Sequence, residues 1–285
     1  VIALALVLLA LGLALLAPRL MARQPGFRSS PRAALVAWQA VTLSAILAAL
    51  AAAPALAPLV LFDGQAVSDH FMLLALALAV SGLMVGRLLV AGHSIGRRMR
   101  RLRRRHRELV DIVSVHPEGE RRLRVLEHPA PTAYCLPGRE SRVVVSKGVI
   151  DALTPREFEA VLTHEGAHLR GRHDLLVEFF SVIHETVPEP VRCQAAMGEV
   201  RLLVEALADR AAVRRVGKVA TMKALIELEG SRAPEAAMAA GASTTATRLG
   251  LIREARPRPA LTAVTYAYAV GLLALPIALF AAAWV

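Results

Sequence analysis

Residues 164 to 168 read His-Glu-Gly-Ala-His. On a helix, side chains four apart share one face, so both imidazoles can reach one metal ion while the Glu between them handles the proton of an attacking water. That is the chemistry of zinc-assisted hydrolysis, with Zn²⁺ as the implied cofactor, His164 and His168 as metal ligands and Glu165 as general base. The flanking residues supply the helix. Thr154-Pro155-Arg156-Glu157 spells a cap, a proline at the first helical position and a glutamate at the third, and Phe158, Val161, Leu162 and Leu169 follow at helical spacing.

A catalytic zinc needs a third protein ligand and an open fourth position. Two carboxylates compete. Glu205 lies in Glu205-Ala206-Leu207-Ala208-Asp209, on a second helix expected over about Met197 to Val216, with Asp209 one turn on to hold a ligating histidine from behind. Asp174 is the alternative third ligand, because residues 164 to 174 also spell H-E-x-x-H-x-x-G-x-x-D, in which Gly171 would break the helix and return the carboxylate to the metal. Glu205 is preferred, since Leu175 to Phe180 has helical composition and the helix is expected to run through Gly171, leaving Arg170, Arg172 and His173 in solvent. For the oxyanion, Tyr134, His173, His184 and Arg210 are the available donors, and no spacing decides among them.

Elements that position this site come from both sides of it. Leu123 to Glu127 and Arg142 to Ser146 are short β-branched runs separated by Pro129, Pro131, Pro137 and Gly138, which predicts a small sheet before the helices. Either Ala133 to Leu136 or Arg142 to Ser146 would offer an edge on which a substrate could add as a strand. Residues 230 to 247 are rich in small side chains and read as a mobile segment. Cys135 and Cys193 are the two cysteines and form no C-x-x-C pair, which suits a reducing compartment and small half-buried residues rather than a cysteine peptidase.

Around this unit the chain is apolar, with a mean hydropathy of +0.49. About 20 apolar residues cross roughly 30 Å of hydrocarbon, and uncharged stretches at about 1–18, 33–62, 71–91 and 260–285 are expected to do so, the third interrupted by Arg87. The first lacks the basic start and cleavage site of a secretory signal. Residues 1–91 thus read as a membrane region of three helices, 92–259 as one soluble domain and 260–285 as a fourth crossing. Arg19, Arg23, Arg28 and Arg32 fill the first loop, whereas the loop from Asp63 to His70 has two Asp and no Lys or Arg. By the positive-inside rule the soluble domain is then cytoplasmic and both termini face outward in a multi-pass plasma-membrane protein. The net charge of +11 is concentrated in the arginines between 97 and 107. This run follows a membrane exit without interleaved aromatics, so lipid headgroups are the expected contact and direct nucleic-acid binding is not.

The order Ala133-Tyr134-Cys135-Leu136-Pro137-Gly138, then Arg142 to Gly148, Leu153 to Leu169 and Glu205 to Asp209 resembles the integral-membrane zinc peptidases of the BlaR/MecR type and the related HtpX-type group. The resemblance covers nearly the whole chain, and the four-helix layout is similar to the BlaR/MecR arrangement. It implies a mainly α membrane protein with four transmembrane helices and an α+β zincin-like cytoplasmic protease domain. It further implies His164, His168 and Glu205 as zinc ligands, Glu165 as base and Asp209 as support. Implied partners are the bilayer and a protein substrate: a cytoplasmic repressor of the BlaI/MecI kind, damaged membrane protein, or the chain itself. Antibiotic-sensing members continue into an extracellular penicillin-binding-like domain, whereas this sequence stops at Val285, which argues against direct β-lactam sensing. The competing expectation is a non-catalytic membrane signalling receptor or scaffold with a zincin fold. It would be expected to have lost Glu165 or a ligand, and neither is lost.

Overall fold

The computed structural model describes residues 1–58, 67–187, 189, 192–230, 235–254 and 258–285. It is mostly helical with one small mixed sheet, and it divides into two compact units. One comprises Val1–His93, Ser181–Val200 and Pro257–Val285; the other comprises Ser94–Phe180 and Arg201–Arg256.

In the first unit, α1 (Ile2–Leu11) runs through a π-helical turn (Gly12–Leu16) into α2 (Ala17–Ala22) and packs with α3 (Pro31–Ala52) and α11 (Pro259–Ala282). Four helical stretches among the described residues are long and apolar enough to cross a membrane: Ile2–Ala22, Pro31–Ala52, Pro259–Ala282, and the part of α4 (Val67–Val113) that begins at Leu74. The buried residues of α3 combine small ones, Ala33, Ala34, Ala37, Ala40 and Ala48, with the larger Leu35, Trp38 and Val41. Pro276 lies inside α11 and has no N–H to give the carbonyl of Leu272 one turn earlier. Ser44 of α3 donates to that carbonyl at 2.7 Å, so the gap left by the proline is filled from the neighbouring helix. The acidic loop on which the expected orientation rests lies largely outside the described residues, as does the end of the stretch expected at 33–62.

The second unit carries the sheet, in order β1-β2-β4-β3, with β1 Ser114–Val115, β2 Leu123–Leu126, β3 Ala133–Leu136 and β4 Arg142–Ser146. β4 runs parallel to β2 and antiparallel to β3. It is therefore interior, and of the two edges expected to accept a substrate strand only β3 is one. Three consecutive buried valines, Val143, Val144 and Val145, are what a strand covered on both faces requires. Alternation divides them. Val143 and Val145 join Ala133 in the core that contains α6 (Pro155–Arg170), while Val144 packs with Val110 and Leu136 on the other face. Helix α5 (Lys147–Ala152) follows β4, where Gly148 is obligatory: a Cβ there would lie 2.0 Å from the carbonyl oxygen of Pro129.

Not every arginine of the 97–107 run faces away from protein. Arg103 is bound to Asp174 and Glu178, and Arg107 donates to the carbonyl of Pro137. The remaining helices are α7 (His173–Thr186), α8 (Gln194–Val216), α9 (Lys218–Gly230) and α10 (Glu235–Arg253). The last covers most of the small-residue stretch at 230–247, whose residues 231–234 lie outside the described residues. Its small residues carry no apolar stripe, but alanine is the best helix former.

Candidate metal centre

Helix α6 begins as its sequence dictates. The Thr154 hydroxyl accepts from the Glu157 N–H at 3.4 Å and the Glu157 carboxylate accepts from the Thr154 N–H at 3.0 Å, a closed capping box with Pro155 behind it. Ala160 and Val161 are buried in the core with Phe158, Leu162 and Leu169 against them, which fixes the rotation of the helix. His164, Glu165 and His168 consequently line a cavity of about 310 Å³ together with Ala133 and Cys135 of the edge strand and Glu205 and Asp209 of α8.

Donor atoms of three residues converge there. His164 Nε2 and His168 Nε2 are 3.1 Å apart, and the two Glu205 oxygens lie 3.3 Å from the first and 3.5 Å from the second. A tetrahedron with metal–ligand distances of about 2.0–2.1 Å has edges of about 3.3–3.4 Å, so each separation is close to one such edge, and one donor atom from each residue can be chosen with all within 4.8 Å of one another. The donor set, two imidazoles and a carboxylate with a fourth corner left over, is that of a catalytic rather than a structural zinc site.

Asp174, the alternative ligand, is elsewhere. The helix does break where that alternative required it, contrary to the continuous helix expected here: α6 ends at Arg170 and α7 starts at His173. Arg172 between them has φ of +48°. The break turns His173, not Asp174, back toward the site, and Asp174 is held by Arg103 Nη1 at 3.1 Å. His173 is buried, not solvated, with its Nδ1 2.9 Å from His168 Nδ1.

Behind these donors stands a buried ion group. Asp209 Oδ1 lies 3.0 Å from His164 Nδ1. Arg248 of α10 forks onto the same carboxylate, with Nε to Oδ2 at 2.8 Å and Nη2 to Oδ1 at 2.7 Å, and its Nη1 is 3.3 Å from Glu205. Burial opposes ionisation of both acids, but the Arg248 and His164 bonds outweigh it for Asp209, and the His164 bond with the Arg248 charge does so for Glu205; each is held down at about 2. Burial likewise opposes protonation of His164, yet its bonds to Asp209 and Glu205 raise it to about 9. His168 lacks a comparable carboxylate bond, and burial takes it down to about 4. Glu205 and Asp209 are thus both anionic at neutral pH.

A family model for peptidase family M48 matches residues 96–255, more than half of the 285-residue chain. The chain belongs to peptidase family M48. M48 membership makes it a metallopeptidase of the HtpX/BlaR type, and the family's metal is zinc. No curated protein and no solved structure matches the chain.

Other candidates in this M48 member are distributed as follows. Tyr134 borders the cavity, but its hydroxyl is bonded to His106 Nε2 at 2.9 Å and its ring packs on the opposite face of the sheet. His184 belongs to the other compact unit. Arg210 does not line the cavity. The Cys135 thiol is pushed up by burial and by the Glu165 carboxylate, to which it is hydrogen-bonded, so it stays a protonated donor and not a nucleophile. Arg248 is the residue that sequence reasoning missed: an arginine 39 positions beyond its partner, in a run without apolar periodicity, gives no local signal.

Proposed function

We propose that this chain is a membrane-embedded zinc endopeptidase in which His164, His168 and Glu205 hold the metal, Glu165 is the general base and Asp209 orients His164. The observation that carries the reading is the convergence of His164 Nε2, His168 Nε2 and the Glu205 carboxylate, at nearest separations of 3.1, 3.3 and 3.5 Å, with Glu165 on the same helix beside them. Zinc in that position supplies Lewis acidity to the scissile carbonyl and lowers the pKa of water to about 7. Glu165 takes the proton of the attacking water and passes it to the leaving amine. Asp209, fixed by Arg248, accepts from His164 Nδ1 and so leaves Nε2 free to ligate. On this reading the substrate backbone adds as a strand along β3, the sheet-edge strand beside this site, a mode tolerant of sequence.

The four apolar helices support a multi-pass plasma-membrane protein. The arginine-rich first loop and the 97–107 run support a cytoplasmic protease domain with both termini outside, contacting anionic lipid rather than nucleic acid. On this reading the arrangement is that of the BlaR/MecR type, acting in signal transduction on a cytoplasmic or membrane protein, a BlaI/MecI-like repressor being the leading candidate. The test is Glu165→Gln in the full chain in detergent or nanodiscs. It should keep stoichiometric zinc and lose cleavage of a protein substrate by about 10²-fold or more; cleavage equal to the parent would overturn the mechanism.

A further inference from the structure

A histidine that ligates a metal through one ring nitrogen must have its other nitrogen held, or the ring turns out of position. For His164 that partner is Asp209. His168 presents its Nδ1 to the Nδ1 of His173 at 2.9 Å, with the rings perpendicular and 4.9 Å apart. Two nitrogens at that distance share one hydrogen, so one donates and the other accepts. With Nε2 of His168 pointing at the metal position, its proton is on Nδ1. The acceptor is then Nδ1 of His173, whose own proton is on Nε2.

The backbone is shaped for this contact. α6 stops at Arg170, Arg172 takes a left-handed conformation that a residue with a side chain rarely adopts, and His173 opens α7 with its ring folded back. Gly171 leaves the space for it. A Cβ at that position would lie 2.4 Å from His173 Nε2 and 2.7 Å from its Cδ2, although the Gly171 backbone, at φ −78°, suits any residue. A strained residue and an unfilled volume both serve the same imidazole.

We propose that His173 is a positioning residue for the metal: it accepts a hydrogen bond from His168 and locks the tautomer and orientation of that ring, the counterpart of Asp209 behind His164. This rests on the reading of His164, His168 and Glu205 as the zinc site. The test is zinc affinity of the full chain by competition with a chromophoric chelator, together with the visible spectrum of the Co²⁺-loaded protein. The variants are His173→Phe, which fills the volume without an acceptor, and His173→Asn, which places a carbonyl oxygen where Nδ1 was. His173→Phe should weaken zinc by about 10- to 100-fold and shift the Co²⁺ bands, while His173→Asn should recover most of the affinity. Gly171→Ala keeps His173 but displaces its ring, so it should weaken zinc as well, and it serves if the Phe variant does not fold.

Zinc affinity in His173→Phe equal to the parent overturns the proposal, as does equal weakening in the Phe and Asn variants, which would make the role one of packing. His164→Ala separates this from failure of the underlying reading. If that variant binds zinc as the parent does, the metal site itself is misassigned and both fall; if it loses zinc while His173→Phe does not, only the role of His173 falls.

Discussion

Arg248 and Asp209 form a two-pronged buried ion pair, Nε to Oδ2 at 2.8 Å and Nη2 to Oδ1 at 2.7 Å, and the same Asp209 oxygen faces His164 Nδ1 at 3.0 Å. One guanidinium thus ties helix α10 to the rear of the candidate metal centre. Removing one partner of a buried pair leaves a charge without compensation, which costs about 3–5 kcal/mol. Arg248→Ala should lower the melting temperature of the metal-free protein and weaken zinc. Arg248→Lys keeps the charge but not the fork, and should fall between the two. Thermal unfolding with zinc titration checks this; an Ala variant that melts and binds as the parent does would mean the pair contributes nothing.

The two carboxylates that compete for the third ligand position predict opposite zinc contents. Glu205→Ala leaves two histidines and should lose zinc and cleavage together. Asp174→Ala should retain stoichiometric zinc, because its carboxylate is on Arg103. Its cost in stability should lie toward the low end of the 1.5–3 kcal/mol or so usual for a bond to a charged group, since Asp174 Oδ1 is buried with no partner and Arg103 keeps Glu178. Metal analysis of the two purified variants decides between them; zinc lost from Asp174→Ala and kept by Glu205→Ala would reverse the assignment.

Local chemistry made the core of the site readable from residue order. A cap, a proline and an apolar stripe determine that a helix starts at Pro155 and which face is buried, and the i, i+4 spacing of Glu205 and Asp209 puts both carboxylates on one side of α8. What was not readable depends on chain path. The propensity of Leu175 to Phe180 for helix is real, but it starts a new helix; the left-handed residue at the break is Arg172 and not Gly171, so the usual glycine stop does not mark it. The interior position of β4 was legible in its unbroken valines, which an edge strand with one wet face would not carry. Arg248 and the inward turn of His173 are set by closure of the tertiary structure, and no window of sequence contains them.

Zinc uptake should release protons in a pH-dependent way. In the metal-free site His164 is raised to about 9, so at pH 7 it holds a proton that coordination must displace; His168, lowered to about 4, and the ionised Glu205 have none to give. Calorimetric titration in two buffers of different ionisation enthalpy should show about one proton released per zinc between pH 5 and 8, falling toward zero above pH 9. The same sign governs metal-free stability. A raised His164 contributes stabilisation that is fully present below about pH 6.5 and is lost as pH rises through 9. Asp209→Asn removes a negative charge that raises His164 and should cut the release at pH 8. No proton released at pH 7 would show that the carboxylates do not hold His164 charged.

Ser44 and Pro276 should be energetically coupled although neither side chain bonds the other. Proline 276 removes the N–H that would have served the Leu272 carbonyl, and Ser44 serves it from α3 at 2.7 Å. In an apolar surround an unserved carbonyl is expensive, whereas hydrogen bonds between membrane helices measured by double-mutant cycles are worth about 0.6 to 1.7 kcal/mol. Ser44→Ala in the parent should therefore destabilise by about that amount. Pro276→Ala restores an N–H within α11, so in that background Ser44→Ala leaves no carbonyl orphaned and should cost markedly less. Unfolding in mixed micelles of all four proteins measures the coupling. Equal costs of Ser44→Ala in both backgrounds would show that the serine packs between the helices without repairing the break that the proline makes.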